Sequence, residues 1–232
     1  MKGMAKKLKL QTTWQLNVML FPIIILLAIF SYIPMVGLSI SFQDYIPTKG
    51  FFGSEWVGLD NYRFLFSLKD FPQIIINTLV ISLGKIILGT VVSLLFAILL
   101  AETSFKLIRK YVQTFVFLPY FLSWVILGGL FVDVFSLDGA INRIISWIGM
   151  EKIYFLGDPF WFVIVVIITD VWKVFGYNMI IYYSSILNID PALYESATID
   201  GAGRIRRIIH ITIPGILPII MVMAMLALGN IL

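Results

Sequence analysis

"IIINTLVISLGKIILGTVVSLLFAILLA", residues 74 to 101, contains one charged side chain, Lys85. A bilayer crossing takes about 20 predominantly apolar residues in a helix, because lipid offers the backbone no hydrogen-bond partners. This stretch therefore reads as a membrane span. Four more runs read the same way, at roughly 14–41, 111–136, 160–188 and 211–232. The composition agrees: 60% of the chain is hydrophobic and 13% charged, whereas soluble domains average about 45–50% apolar and about 25% charged residues. The expected fold class is all-α, a polytopic transmembrane helical bundle, with residues 1–232 as a single domain.

The first run is too long for the apolar region of a secretory signal and has no small-residue cleavage site behind it, so it reads as an uncleaved span. The last run reaches Leu232 with no polar flank. A helix ending in hydrocarbon leaves up to four carbonyls unpaired, and the expectation is that the chain continues. The absence of cysteine excludes disulfides, thiol catalysis and Cys-ligated metals.

Lys and Arg set orientation, since cytoplasmic loops carry the excess. With the N-terminus inside, ten fall on the cytoplasmic side, at Lys2, Lys6, Lys7, Lys9, Lys106, Arg109, Lys110, Arg204, Arg206 and Arg207. Five fall outside, at Lys49, Arg63, Lys69, Arg143 and Lys152. The expectation is a multi-pass protein of the cell membrane with a cytoplasmic N-terminus. This asymmetry and anionic lipid account for the basic balance without any nucleic-acid partner.

Outside, residues 42–73 mix Gly, Pro and aromatics in the manner of an ordered cap. Trp56, Tyr62 and Phe64 there suit either a headgroup belt or a stacking surface for sugar rings. From Ala140 to about Met150, Ile141, Ile144, Ile145 and Ile148 share one side of an amphipathic piece expected to lie in the interface plane. Pro22, Pro34, Pro119 and the Gly128–Gly129 pair predict bends within spans.

Between the fourth and fifth runs the chain turns polar: "YESATIDGAGRIRRIIHITIPGILP", residues 194–218. Asp190 followed by Pro191 is a helix-start signal, an N-cap acceptor before a residue whose missing N–H costs nothing at the first helical position. Gly201 and Gly203 offer left-handed conformations that stop the helix. The result is a short cytoplasmic helix at about 190–203, too short and polar to span, followed by a turn and a second helix entering the fifth run. This suits either a docking element or an ordinary charged loop.

Charged residues at span centres cost about 2.5–3.5 kcal/mol on insertion scales and usually face protein or water. Lys85, Asp170 and Lys173 qualify. Lys85 shares a four-residue stripe with Gly89, Ser93 and Ala97, so it points into the bundle. Asp170, Lys173 and Tyr177 lie three and four apart on one helix face, as an internal ion pair or as a polar patch facing solute.

In the polar stretch the chain resembles the inner-membrane permease subunits of binding-protein-dependent ABC importers. Their hallmark is Glu-Ala-Ala, three residues, Gly, nine residues, Ile, one residue, Leu-Pro. Here Glu195, Ser196, Ala197, Gly201, Ile211, Ile213 and Pro214 stand in that register, with Ser for the second Ala and Ile for Leu. The extension through Asp200, Gly201 and Ala202 is similar to the carbohydrate branch, as are "WVGLDNYRFLF", "NTLVIS", "LPYFLSWVI" and "VWKVFGYNMIIYYSSILNIDP".

The resemblance implies a transport subunit, half of a translocation pathway for an oligosaccharide. A second permease, usually a different chain, supplies the other half, and two ATPase subunits each receive a cytoplasmic coupling helix. An extracytoplasmic solute-binding protein delivers the solute, and a sixth helix follows the five. Coupling would fall to Glu195, Ser196, Ala197, Asp200, Gly201, Ala202, Gly203 and Pro214, and the substrate pathway to Lys85, Asp170, Lys173 and Tyr177. No phosphate loop and no H-E-x-x-H helix occurs in the sequence, so ATP hydrolysis belongs to the partner, and neither cofactor nor metal is expected. The same machinery for a non-sugar solute and an ion-driven secondary transporter are the alternatives. The docking motif weighs against the second.

Overall fold

The computed structural model describes the backbone of residues 2–229 and the side chains of residues 14–229. The side chains of Lys2, Lys6, Lys7 and Lys9, and positions 230–232 of the fifth run, lie outside the described residues. The chain forms two compact units, Met1–Pro72 and Gln73–Leu232.

In the first unit, α1 (Lys2–Leu27) runs on through Pro22. It widens into a π-helical turn at Ala28–Tyr32 before α2 (Ile33–Met35), whose first turn holds Pro34. Proline cannot donate to the preceding turn and clashes with its carbonyl, and a wider turn absorbs that mismatch. A 3₁₀ segment, Val36–Phe42, leads into a small ordered cap. Strand β1 (Gln43–Asp44) pairs antiparallel with β2 (Glu55–Trp56), flanking α3 (Gly50–Gly53) and followed by α4 (Asp60–Ser67). Phe42 sits at its centre, stacked on Trp56 at 5.6 Å and tilted against Tyr62 at 5.4 Å. The Tyr62 hydroxyl lies 2.8 Å from Ser41 Oγ, and Asn61 Nδ2 donates to the carbonyls of Ser41 and Gln43. Trp56 and Tyr62 thus turn ring surface to Phe42, although Trp56, like Phe64, remains largely exposed.

The second unit is a helical bundle organised on α9. Its long helices are α5 (Phe71–Glu102), α9 (Pro159–Leu187) and α12 (Ile213–Leu228). Shorter ones are α6 (Lys106–Phe117), α7 (Trp124–Phe135), α8 (Ala140–Trp147), α10 (Pro191–Ile199) and α11 (Arg204–Arg207). On α5, Gly89, Ser93, Ala97 and Leu100 are buried, while Ile87, Val91, Leu95 and Leu99 on the other side are exposed. Small residues on the inner stripe leave room for side chains of α9, Gly84 facing Ile167 and Gly89 facing Val171, and the exposed stripe suits lipid. The core joins Ala97 and Leu100 of α5 to Met179, Tyr182, Tyr183 and Ile186 of α9 and Ile216 of α12. A Cβ at Gly176 would land on the Val116 carbonyl, so α6 and α9 meet backbone to backbone there.

Among the described residues, five helical segments are long and apolar enough to cross a membrane. The third differs from its sequence expectation of 111–136: it runs Trp124–Trp147 and takes in both α7 and α8. Helix α6 stops at Phe117, a 3₁₀ turn occupies Leu118–Phe121 around Pro119, and Ser123 restarts the chain as an N-cap accepting from the Ile126 N–H at 3.3 Å. The Gly128–Gly129 pair, expected to bend the helix, lies inside α7 without interrupting it. Beyond α7, Asn142 of α8 is fully buried. Its Nδ2 donates to the carbonyls of Ser136 and Ile153, and its Oδ1 accepts from the Ile153 N–H at 2.8 Å. One amide side chain therefore ties the end of α7 to the segment leading into α9.

Candidate functional site

Two places gather the polar residues of the second unit. The first is a cavity of about 550 Å³ between α5, the Leu118–Phe121 turn, α9 and α12, lined among others by Lys85, Thr90, Tyr120, Asp170, Tyr177 and Asn178. Lys85 Nζ is 3.3 Å from Asp170 Oδ1, with 32% and 26% of the two side chains exposed. The expected partner of Asp170 was Lys173, one turn along the same helix. The structure gives a different pairing. Lys173 turns away, is 8% exposed, and donates from Nζ to the Tyr120 carbonyl at 2.9 Å. Its ammonium also lies 5.4 Å and 5.6 Å from the ring centroids of Tyr120 and Trp124. The helix break creates this site: a carbonyl at the 3₁₀ turn needs a donor, and Lys173 reaches it from α9.

Tyr177, one turn beyond Lys173, stacks on Tyr120 at 4.6 Å with an interplanar angle of 11°. Phe117 extends the stack. The cavity thus has an aromatic wall, the Tyr120–Tyr177 pair, beside an ion pair. Of the four pathway candidates, Lys85, Asp170 and Tyr177 line it, and Lys173 stands behind the wall. Tyr120, Thr90 and Asn178 were not singled out from the sequence. Asn178, adjacent to Tyr177 within an apolar run, was the one available signal.

The second place is the hairpin of α10 and α11. Asp190 caps α10 by accepting from the Ala192 N–H at 2.9 Å. At its other end the Gly201 N–H donates to Thr198 O at 3.0 Å and the Ala202 N–H to Ala197 O at 2.8 Å, with Gly201 at φ +76°. That double bond pattern around a left-handed residue is a Schellman cap. Gly203 differs from expectation: at φ −68°, ψ 168° it is the extended N-cap of α11, because one left-handed residue completes the turn. The hairpin is held from behind by the Tyr194 hydroxyl 3.0 Å from Thr212 Oγ1 and by Arg207 Nη1 donating to Thr198 Oγ1 at 3.0 Å. Thr212 is buried at the end of a π-helical turn, Ile208–Thr212, that joins α11 to α12. Glu195, Ser196, Asp200, Gly201 and Gly203 are exposed on this hairpin, with Ala197 and Ala202 half-buried; Pro214 is exposed in the first turn of α12.

Residues 89–232, which hold this hairpin and most of the cavity, match the family described as the inner membrane component of binding-protein-dependent transport systems. The chain belongs to that family. As such it is an inner-membrane permease component of an ABC importer and not itself an enzyme. The permease is similar to the polygalacturonan/rhamnogalacturonan transport system permease protein YteP of Bacillus subtilis (strain 168). The two are 41% identical over 216 residues, 93% of this chain and 67% of that one. Two solved structures share its fold at TM-score 0.84 and 40% identity over 97% of this chain. One is a bacterial ABC transporter involved in the import of the acidic polysaccharide alginate, of which 75% of the matched chain is covered. The other is the bacterial alginate transporter in complex with an alginate pentasaccharide-bound periplasmic protein, covered to 74%.

Proposed function

We propose that this permease forms half of the pathway of an ATP-driven importer for carbohydrate, most simply an oligosaccharide. Its N-terminus is cytoplasmic, and the α10–α11 hairpin docks on a separate ATPase subunit, two of which serve the complex. A second permease, a different chain, supplies the other half, and an extracytoplasmic binding protein delivers the solute. The names of the relatives, a polygalacturonan/rhamnogalacturonan permease and an alginate importer with its periplasmic protein, support the substrate class and the delivery partner.

The observation that carries the docking role is the two-sided character of α10. Its back is fixed by Tyr194–Thr212 and Arg207–Thr198, whereas Leu193 is 51% and Ile199 87% exposed. A rigid helix too short to cross the membrane that presents a bare isoleucine has the anchor a protein partner's pocket takes. Ile199→Asp in the assembled importer is expected to leave the chain inserted and to lower ATPase co-purification about tenfold, since buried interface anchors carry most of the affinity. Parent-like co-purification together with parent-like coupled uptake would rule the docking role out.

A further inference from the structure

We propose that the cavity between α5 and α9 selects carboxylate-bearing oligosaccharides, the solute's carboxylate taking the Lys85 ammonium in exchange for Asp170. This rests on the carbohydrate reading above and names the substrate class within it.

Charge balance is the first ground. One ammonium group, Lys85, and one carboxylate, Asp170, line the cavity, and a second ammonium group, Lys173, stands behind its aromatic wall. Lys173 has no carboxylate within ion-pair distance among the described residues; a carbonyl and two ring faces hold it. One positive charge is therefore left over at mid-bundle, where low polarizability makes an uncompensated cation costly. An anionic solute offsets that charge from a distance, but the contact that sets the preference is the direct one to Lys85, the cation that opens on the cavity.

The second ground is that the two cations are held differently. Lys173 is locked at 8% exposure. Lys85 is about one-third exposed, opens on the cavity, and contacts Asp170 at 3.3 Å, longer than the about 2.7–2.9 Å of a tight charge-assisted bond. A solute carboxylate can reach that ammonium without disturbing any other contact seen for Lys85. Asp170, once released, is an acceptor for sugar hydroxyls.

The third ground is the wall beside it. Tyr177 is 39% exposed and stacked on Tyr120, both lining the same cavity. A sugar ring laid on that wall brings its substituents toward Lys85 and Asp170. A uronate, with one apolar ring face and a carboxylate on the ring, uses every element present.

The test is uptake by the assembled importer in vesicles of an oligogalacturonate and of its carboxyl-reduced, neutral counterpart of the same length. The parent is expected to prefer the acidic sugar. Lys85→Met is expected to collapse the acidic-to-neutral uptake ratio about tenfold, the usual scale for one hydrogen bond to a charged group. Lys85→Arg should restore most of it. Because Lys85→Met leaves Asp170 unpaired, the Lys85→Met/Asp170→Leu double variant repeats the measurement without a stranded charge, and the same collapse is expected. An unchanged ratio in the double variant overturns the proposal. So does a parent that carries the neutral sugar as well as the acidic one, with the carbohydrate reading left standing. A parent importer that carries neither sugar but carries a non-sugar solute overturns both.

Discussion

Gly201 holds φ +76° at the end of α10, and a Cβ built there meets no atom within 4 Å. Any penalty for a side chain is therefore conformational and not a clash within this chain. An L-residue in the left-handed region costs about 1–2 kcal/mol, more for a β-branched one and less for Asn, whose side chain tolerates that region. Escape to negative φ gives up the Gly201–Thr198 and Ala202–Ala197 bonds at 3.0 and 2.8 Å, worth about 0.5–1.5 kcal/mol each. Either route costs Gly201→Ala at least about 1 kcal/mol, a loss of the native hairpin geometry of roughly fivefold or more. Gly201→Asn should cost a fraction of that and Gly201→Val clearly more. The assay is ATPase co-purification and the ratio of uptake to ATP hydrolysis in the assembled importer. The expected order of retained coupling is Asn, then Ala, then Val. Steric exclusion against a partner gives the order Ala, then Asn and Val, because Asn is larger than Ala. Observing that second order, or no effect in any variant, refutes the conformational account.

The chain has no cysteine, so a single one reports topology cleanly: Gly53→Cys should react with an impermeant thiol reagent added outside, Gly203→Cys should not, and the reverse labelling overturns the cytoplasmic hairpin. Asn142→Ala removes three hydrogen bonds at a fully buried position. It should destabilise the purified protein by about 2–4 kcal/mol, read as a lower unfolding temperature in detergent, with Asn142→Asp no better because two of the bonds need its amide donors.

Much of this was legible from local pattern. Apolar length marked the long helices, and Asp190–Pro191 marked the start of α10, since both signals act within a single turn or segment. The Lys85, Gly89, Ser93, Ala97 stripe named the face of α5 that lies inward, because i, i+4 spacing fixes a helix face without knowledge of the neighbour. The neighbour itself was not legible. Asp170 and Lys173 are three apart on α9, yet Asp170 bonds to Lys85 of α5 and Lys173 to a carbonyl of the Leu118–Phe121 turn. Those choices depend on how α9 is rotated between two other elements, which helical spacing does not encode. Tyr120 went unnoticed for the same reason: its ring matters through Tyr177 and its carbonyl through Lys173, both more than fifty positions away. At Gly203 the two glycines were read alike, although completing a Schellman turn takes only one left-handed residue.

The interruption at Pro119 also bears on how the protein is made. Helix α6 has 12 residues, short of the about 20 that an independent crossing requires. The group that satisfies the turn after it, Lys173, follows Tyr120 by 53 residues. At about 5–20 residues per second, a ribosome delivers that lysine some seconds after the turn has left the exit tunnel. Until then the Tyr120 carbonyl must be hydrated or held by the insertion machinery. The contact that closes this turn is therefore available only after α9 has been made, so at this point an earlier part of the chain depends on a later one.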